Sequence, residues 1–197
     1  MHHDASGTPS CTGKLILLMG PSGAGKDSLI DAARDRLAAA GVQVARRIIT
    51  RSAESKGEAA IGVTPAQFAT LREEGAFAMH WQANGLGYGI PRQVDDWLAN
   101  GISVLVNGSR AYLPQARQRY PDLLAIRVDV RPDVLRQRLL ARGRETLEEV
   151  EQRLARNAGL QSTYDPSVRI LDNSTTLQAA VGALFELLHQ EGVVPGE

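Results

Sequence analysis

The chain has 197 residues, 22 strong bases, 22 strong acids and one cysteine, Cys11. A domain of this size buries roughly 70% of its unfolded surface without help from disulfides or metal. A single cysteine excludes an internal disulfide and a cysteine-based zinc site. Zero net charge offers no global field for nucleic acid or an anionic membrane, and no apolar run reaches the length of a spanning helix. The expectation is therefore a cytoplasmic protein with a small-molecule partner, no nucleic acid and no membrane, with a homodimer left open. In chain order, residues 1–13 are small and polar, lack the apolar stretch of a signal peptide, and read as a flexible arm. Leu15–Met19 is wholly apolar, as for a buried parallel strand, and precedes the Gly-rich loop 20–25. A helix runs from Lys26 to about Ala40, where Gly41 ends it, and Gln43–Ile49 reads as a second strand. Thr64-Pro65 opens a helix to about Glu74. Phe77–Gln82 and the stretch around Tyr88 read as strands joined by the turn Asn84-Gly85. Pro91–Asn100 reads as a helix, Ile102–Val106 as a strand, Ala111–Tyr120 as a helix and Leu123–Val130 as a strand. Helices are expected over Pro132–Ala141, about Leu147–Ser162 and Thr175–Gln190, with a strand at Val168–Leu171.

Strands alternating with helices predict an α/β fold with a parallel sheet flanked by helices. Residues 14–190 form one domain on this reading: core 14–49 and 101–190, a small acceptor-binding subdomain at 50–95 where the rhythm breaks, and a lid at 142–150. Residues 191–197 are a tail.

Gly20-Pro21-Ser22-Gly23-Ala24-Gly25-Lys26 fits G-x(4)-G-K between a strand and a helix. Glycines let backbone N–H groups face a phosphate chain, the helix adds its positive end, and Lys26 supplies a cation for the β- and γ-phosphates of ATP. This predicts a P-loop NTPase core. The usual hydroxyl residue after the lysine is Asp27, followed by Ser28. A carboxylate 4 Å from a phosphate charge costs about 4 kcal/mol at an effective dielectric of 20, so it is tolerable only if it faces a cation. Asp27 and Ser28 are thus the expected ligands of Mg²⁺. The strand end where many such enzymes carry a metal-binding aspartate has Asn107-Gly108-Ser109 here, as if the carboxylate had moved to the loop. The competing reading is that Asp27 only caps the helix. Asp172-Asn173 could border the adenine or, with Ser174, cap the last helix.

Arg138 and Arg142 share a helix face, Gly143 ends that helix, Arg144 follows, and Arg153 and Arg156 share a face of the next helix. Such a hinge can close arginines over a transferring phosphoryl group. Arg138, Arg142, Arg144 and Arg153, with Lys26, are the expected catalytic residues, against the plainer reading of helices paired through Glu148, Glu149 and Glu151.

With the loop, Thr50-Arg51, Gly57-Glu58, Tyr88-Gly89 and the arginine lid, the chain resembles the guanylate-kinase family from Gly13 to about Gln190. The resemblance implies a core, a lid and an acceptor domain, with Arg47, Arg51, Glu58, His80, Asn84, Tyr88 and Arg110 as substrate-binding candidates. Arg46 and Lys56 are further cations near them. Where that family carries base-reading hydroxyl and carboxylate groups, this chain has Ala59-Ala60-Ile61 and Ile90-Pro91, which should bind guanine poorly. Gly25-Lys26-Asp27-Ser28, Arg47-Ile48-Ile49-Thr50-Arg51, His80-Trp81-Gln82-Ala83-Asn84-Gly85-Leu86, Val104 to Arg110 and Arg142-Gly143-Arg144-Glu145 resemble one branch more closely, the ribose 1,5-bisphosphate phosphokinases of phosphonate degradation. That resemblance implies a phosphorylated sugar as acceptor. The alternatives are a nucleoside monophosphate kinase and a non-catalytic protein-binding relative. The bland reading of His80 is a packed residue, and Arg110 can touch either the acceptor or the γ-phosphate.

Overall fold

The structure, a computed structural model, describes residues 13–51, 60–143, 145–161 and 165–195. The core is a parallel five-stranded sheet. Its middle strand, β1 (Leu15–Met19), is followed by helix α1 (Lys26–Ala39) and the short edge strand β2 (Gln43–Val44). The other core strands are β7 (Val104–Asn107), β8 (Leu124–Asp129) and β9 (Val168–Asp172), and the spatial order is β2-β7-β1-β8-β9. Every residue of β1 is buried, as a strand covered on both faces must be. Ile16 and Leu18 face one apolar cluster with helices α5 (Pro132–Arg142) and α7 (Leu177–Gln190), whereas Leu15, Leu17 and Met19 face a second cluster. The loop after β1 leaves the sheet where the strand order reverses, which is where open α/β sheets bind ligands.

A second sheet lies over that second cluster. It comprises β3 (Ile48–Ile49), β4 (Ile61–Gly62), β5 (Phe77–Ala83) and β6 (Leu86–Pro91), in the order β4-β3-β6-β5. Helix α2 (Pro65–Glu73) starts with a capping box in which Thr64 and Gln67 satisfy each other's backbone N–H groups. Ala83 pairs with Leu86 across a two-residue turn, with Asn84 at φ 51° and Gly85 at φ 75°, the backbone that Asn-Gly favours. Helix α3 (Gln93–Ala99) returns the chain to the core. A 3₁₀ turn at Arg110–Tyr112 leads into α4 (Leu113–Arg119), and α6 (Leu147–Gln161) follows α5.

Several expected elements differ in detail. The single strand expected over Gln43–Ile49 is two strands in two sheets: Ala45 N–H still bonds Leu105 O in the core, and by Ile48 the chain pairs with Gly89. The second sheet therefore begins just before residue 50. Ile61–Gly62, not expected as a strand, pairs in parallel with Ile48–Ile49. Pro91 ends β6 opposite Phe77 rather than opening a helix, and α3 starts at Gln93. Among the described residues no helix is long and apolar enough to cross a membrane.

The second sheet is closely packed. A Cβ at Gly89 would lie 2.4 Å from the Phe77 ring. Gly89→Ala is expected to destabilise the protein by about 1–3 kcal/mol, the usual cost of overpacking, seen as a lower melting temperature. An unchanged Tm would show that the Phe77 ring moves aside freely.

Candidate active site

The loop after β1 keeps its shape through glycines and one asparagine. Gly25, at φ 82°, caps α1 without a side-chain hydrogen bond, so the first N–H groups of the helix are left for a ligand. A Cβ there would sit 2.7 Å from Asn173 Nδ2, which donates to Ala24 O at 2.7 Å. Asn173 is buried and braces the loop, while Thr176 caps α7, so the capping role expected for Asp172-Asn173 with Ser174 falls to Thr176. Lys26 folds back over the loop, its Nζ donating to Gly20 O at 2.9 Å and Pro21 O at 3.2 Å. A phosphate entering the loop offers this ammonium a charged, stronger acceptor.

Loop, core strand ends, second sheet and lid helices enclose one cleft of about 850 Å³. Gly20 through Ser28 line it, except Ala24, which is buried beneath. Asp27 Oδ1 accepts a 2.7 Å hydrogen bond from Asn107 Nδ2, 80 residues away at the end of β7, and Arg47 Nη2 lies 3.9 Å from the same oxygen. Loop carboxylate and strand-end amide thus meet. Asn107 Oδ1 is buried with no hydrogen-bond partner among the described residues.

On the acceptor side Arg47, Arg51, Asn84 and Tyr88 line the cleft. Arg47, only 12% exposed, donates to Asn107 O at 3.2 Å and has its guanidinium carbon 5.2 Å from the Tyr88 ring centre. Tyr88 stacks on Trp81 at 5.6 Å, and Trp81 also lines the cleft. Thr50 has a structural part: its Oγ1 accepts from Gly87 N–H at 2.7 Å and pins the hairpin. His80 is the expectation that the structure corrects. The bulge between Phe77 and Met79 sets the alternation so that Met79, Trp81 and Ala83 share one face. His80 lies on the other, exposed and beside the Phe77 ring, outside the cleft lining. Arg46 is also exposed and outside it. Glu58 and Lys56 fall outside the described residues.

From the lid, Arg142 and Arg153 line the cleft, and Arg153 is paired with Glu145. Arg138 Nη1 is buried without a hydrogen-bond partner among the described residues, 3.7 Å from where a Gly25 Cβ would be, so this guanidinium points at the phosphate loop. Gly143 closes α5 at φ 61°, and Thr146 with Glu149 caps α6. Arg144 lies outside the described residues, as does the side chain of Arg156. Arg110 lines the cleft, and burial, then the neighbouring Arg127, lower its pKa while Asp129 raises it. As a guanidinium it stays charged.

Arg117, Arg127 and Asn157 also line the cleft and were not anticipated. Arg127 lies opposite Met19, the last residue of β1, so a charged residue ending an apolar strand run was the available signal. Arg117 Nη1 donates to Asp165 at 2.8 Å; hydrogen bonds from Ser167 and then Arg117 hold the Asp165 carboxyl down at about 2. Among the described residues no three His, Cys, Asp or Glu gather as a metal cage.

A phosphate loop facing an arginine-lined second sheet, with a helical lid between, defines a P-loop kinase of the guanylate-kinase fold. The guanylate kinase of Anaplasma phagocytophilum superposes with a TM-score of 0.64 over 92% of this chain and 87% of its own, at 18% identity, a likeness of fold. No protein-family model matches the chain. Curated relatives are far more similar. Those of Pseudomonas paraeruginosa (62% identical; 90% of this chain, 96% of the relative), Azotobacter vinelandii (58%; 90% and 97%) and Thiobacillus denitrificans (46%; 89% and 93%) are each named ribose 1,5-bisphosphate phosphokinase PhnN. The chain belongs to the ribose 1,5-bisphosphate phosphokinase family.

Proposed function

We propose that the protein transfers the γ-phosphoryl group of ATP to the 1-phosphate of ribose 1,5-bisphosphate, giving 5-phosphoribosyl 1-diphosphate and ADP in the cytoplasm. An oxygen of the 1-phosphate attacks the γ-phosphorus. The bond from that phosphorus to the β,γ-bridging oxygen breaks, and ADP leaves with its electron pair. The attacking phosphate has a second pKa near 6, so it is largely dianionic at neutral pH and needs no general base. What the chain supplies is position and charge. The carrying observation is that cations meet across one cleft, Lys26 on the loop side and Arg47 and Arg51 on the acceptor side, with the Arg138 guanidinium close to Gly25 of the loop. Lys26 and the first N–H groups of α1 hold the β- and γ-phosphates. Arg47 and Arg51 hold the attacking phosphate beside them, and Arg142 and Arg153 close from the lid.

The residues fit a hard divalent cation. The carboxylate of Asp27 is half exposed beside the loop, Ser28 follows, and the buried Asn107 Oδ1 lacks a partner among the described residues. Mg²⁺ suits a site with one carboxylate, since it keeps most of its waters and takes phosphate oxygens as ligands. Asp27 and Ser28 would hold it there, and it would neutralise charge on the transferring phosphates.

The second reading, a nucleoside monophosphate kinase, has the guanylate-kinase fold in its favour. Ile61 and Ile90 lie outside the cleft lining, Ile90 fully buried. The second-sheet wall, however, presents Ile49, Trp81, Ala83 and Leu86 beside its arginines, and among the described residues of that wall no carboxylate is present to pair a guanine edge. Phosphorus NMR of Mg-ATP with ribose 1,5-bisphosphate, beside a parallel sample with GMP, separates the two. New diphosphate resonances are expected with the sugar and little turnover with GMP. Faster diphosphate formation on GMP would reverse the assignment.

A further inference from the structure

We propose that Arg110 and Asn157 form the subsite for the second, non-reacting phosphate of the acceptor, and that filling it fixes helix α6 against the cleft. The inference rests on the bisphosphate reading above.

Arg110 lies on the 3₁₀ turn after β7 and Asn157 on α6, and Arg110 Nη2 donates to Asn157 Oδ1 at 3.3 Å. Arg110 Nη1 and Asn157 Nδ2 are both buried, and neither has a hydrogen-bond partner among the described residues. Both are donors, and both residues line the cleft. Buried donors left without acceptors are costly, so a native protein rarely keeps two side by side without a ligand to fill them. A phosphate, which only accepts at neutral pH, satisfies both at once.

Neighbouring arginines are already committed. Arg127 makes two hydrogen bonds to Asp129, at 2.9 and 3.0 Å, and Arg117 is held by Asp165 and Ser167. Among the described residues no carboxylate is hydrogen-bonded to Arg110, and Arg127 beside it adds positive potential. The reacting phosphate belongs elsewhere. It must lie against the γ-phosphate, hence near Asp27 and Lys26, where Arg47 stands. Two separate groups of cations therefore match an acceptor with two phosphates.

Asn157 also links the subsite to the lid. Arg153 is four residues earlier on α6, on the same face, and lines the same cleft. A phosphate bridging Arg110 and Asn157 anchors α6 and holds Arg153 over the transfer site. An acceptor with a single phosphate leaves α6 tied here only by the direct Arg110–Asn157 hydrogen bond, so discrimination against it should appear in kcat as well as KM.

The test compares ribose 1,5-bisphosphate with ribose 1-phosphate as acceptors for the wild type, Arg110→Met, Arg110→Lys and Asn157→Ala. The wild type should prefer the bisphosphate. Arg110→Met should cut kcat/KM for the bisphosphate by about 10- to 100-fold, the range for a lost charge-assisted contact. It should leave ribose 1-phosphate and the KM for ATP within about twofold. Arg110→Lys should recover part of the preference because it keeps the charge. Asn157→Ala should shift it in the same direction by less, and it remains informative if Arg110→Met folds poorly. Equal losses on both acceptors, or a raised KM for ATP, would overturn the subsite. A wild type inactive on the bisphosphate would instead overturn the parent reading, before any variant is made.

Discussion

Lys26→Met is expected to lower kcat/KM for phosphoryl transfer by about 10²–10³-fold or more, the loss typical of one preorganised charge in a transition state. The side chain is half-buried and already bent across the loop onto Gly20 O and Pro21 O, so its charge sits where the phosphates arrive and little reorganisation is needed. Methionine keeps an unbranched stem of similar shape. The melting temperature should therefore move little while turnover collapses. Steady-state ADP release and a thermal melt on the same preparation check both halves. A loss below tenfold with an unchanged melt would mean that the γ-phosphate charge is met elsewhere, with the buried Nη1 of Arg138 the first candidate.

Asp27→Ser should have the next largest effect, a fall in kcat of about 10²-fold with a higher Mg²⁺ concentration needed for half-maximal rate. The carboxylate occupies the position next to the phosphate lysine and holds the strand-end amide of Asn107 at 2.7 Å. Serine at this position restores the more usual P-loop pattern but removes the charge. If the carboxylate has moved from strand end to loop, then Asp27→Ser combined with Asn107→Asp returns it to the strand end and should regain part of the lost rate. Asn107→Asp alone should do harm, since it sets two carboxylates within hydrogen-bonding distance. An Asp27→Ser enzyme with normal turnover and normal Mg²⁺ dependence would reduce Asp27 to a helix-end residue.

Local features of the chain were legible. The apolar run Leu15–Met19, the glycines and Lys26 placed the phosphate loop, and Thr64-Pro65 and Asn84-Gly85 placed a helix start and a hairpin. The acceptor wall was legible in part: Arg47, Arg51, Asn84 and Tyr88 reach the cleft, but His80 does not, because a bulge decides which residues of β5 face inward. The break inside Gln43–Ile49 was hidden for a similar reason, since both pieces are extended and only their partners differ.

By itself the sequence determined the fold class, the phosphate loop and the family, since these rest on patterns within a few residues or on runs of matching residues. The tertiary structure alone decided which groups meet: Asn107 with Asp27, Arg110 with Asn157, and Asn173 with the carbonyl of Ala24, pairs separated by 80, 47 and 149 residues. Backbone geometry acts over one turn of chain. A hydrogen bond between distant residues depends on the whole path that brings their strands and helices to one sheet edge, and no local spacing encodes that path.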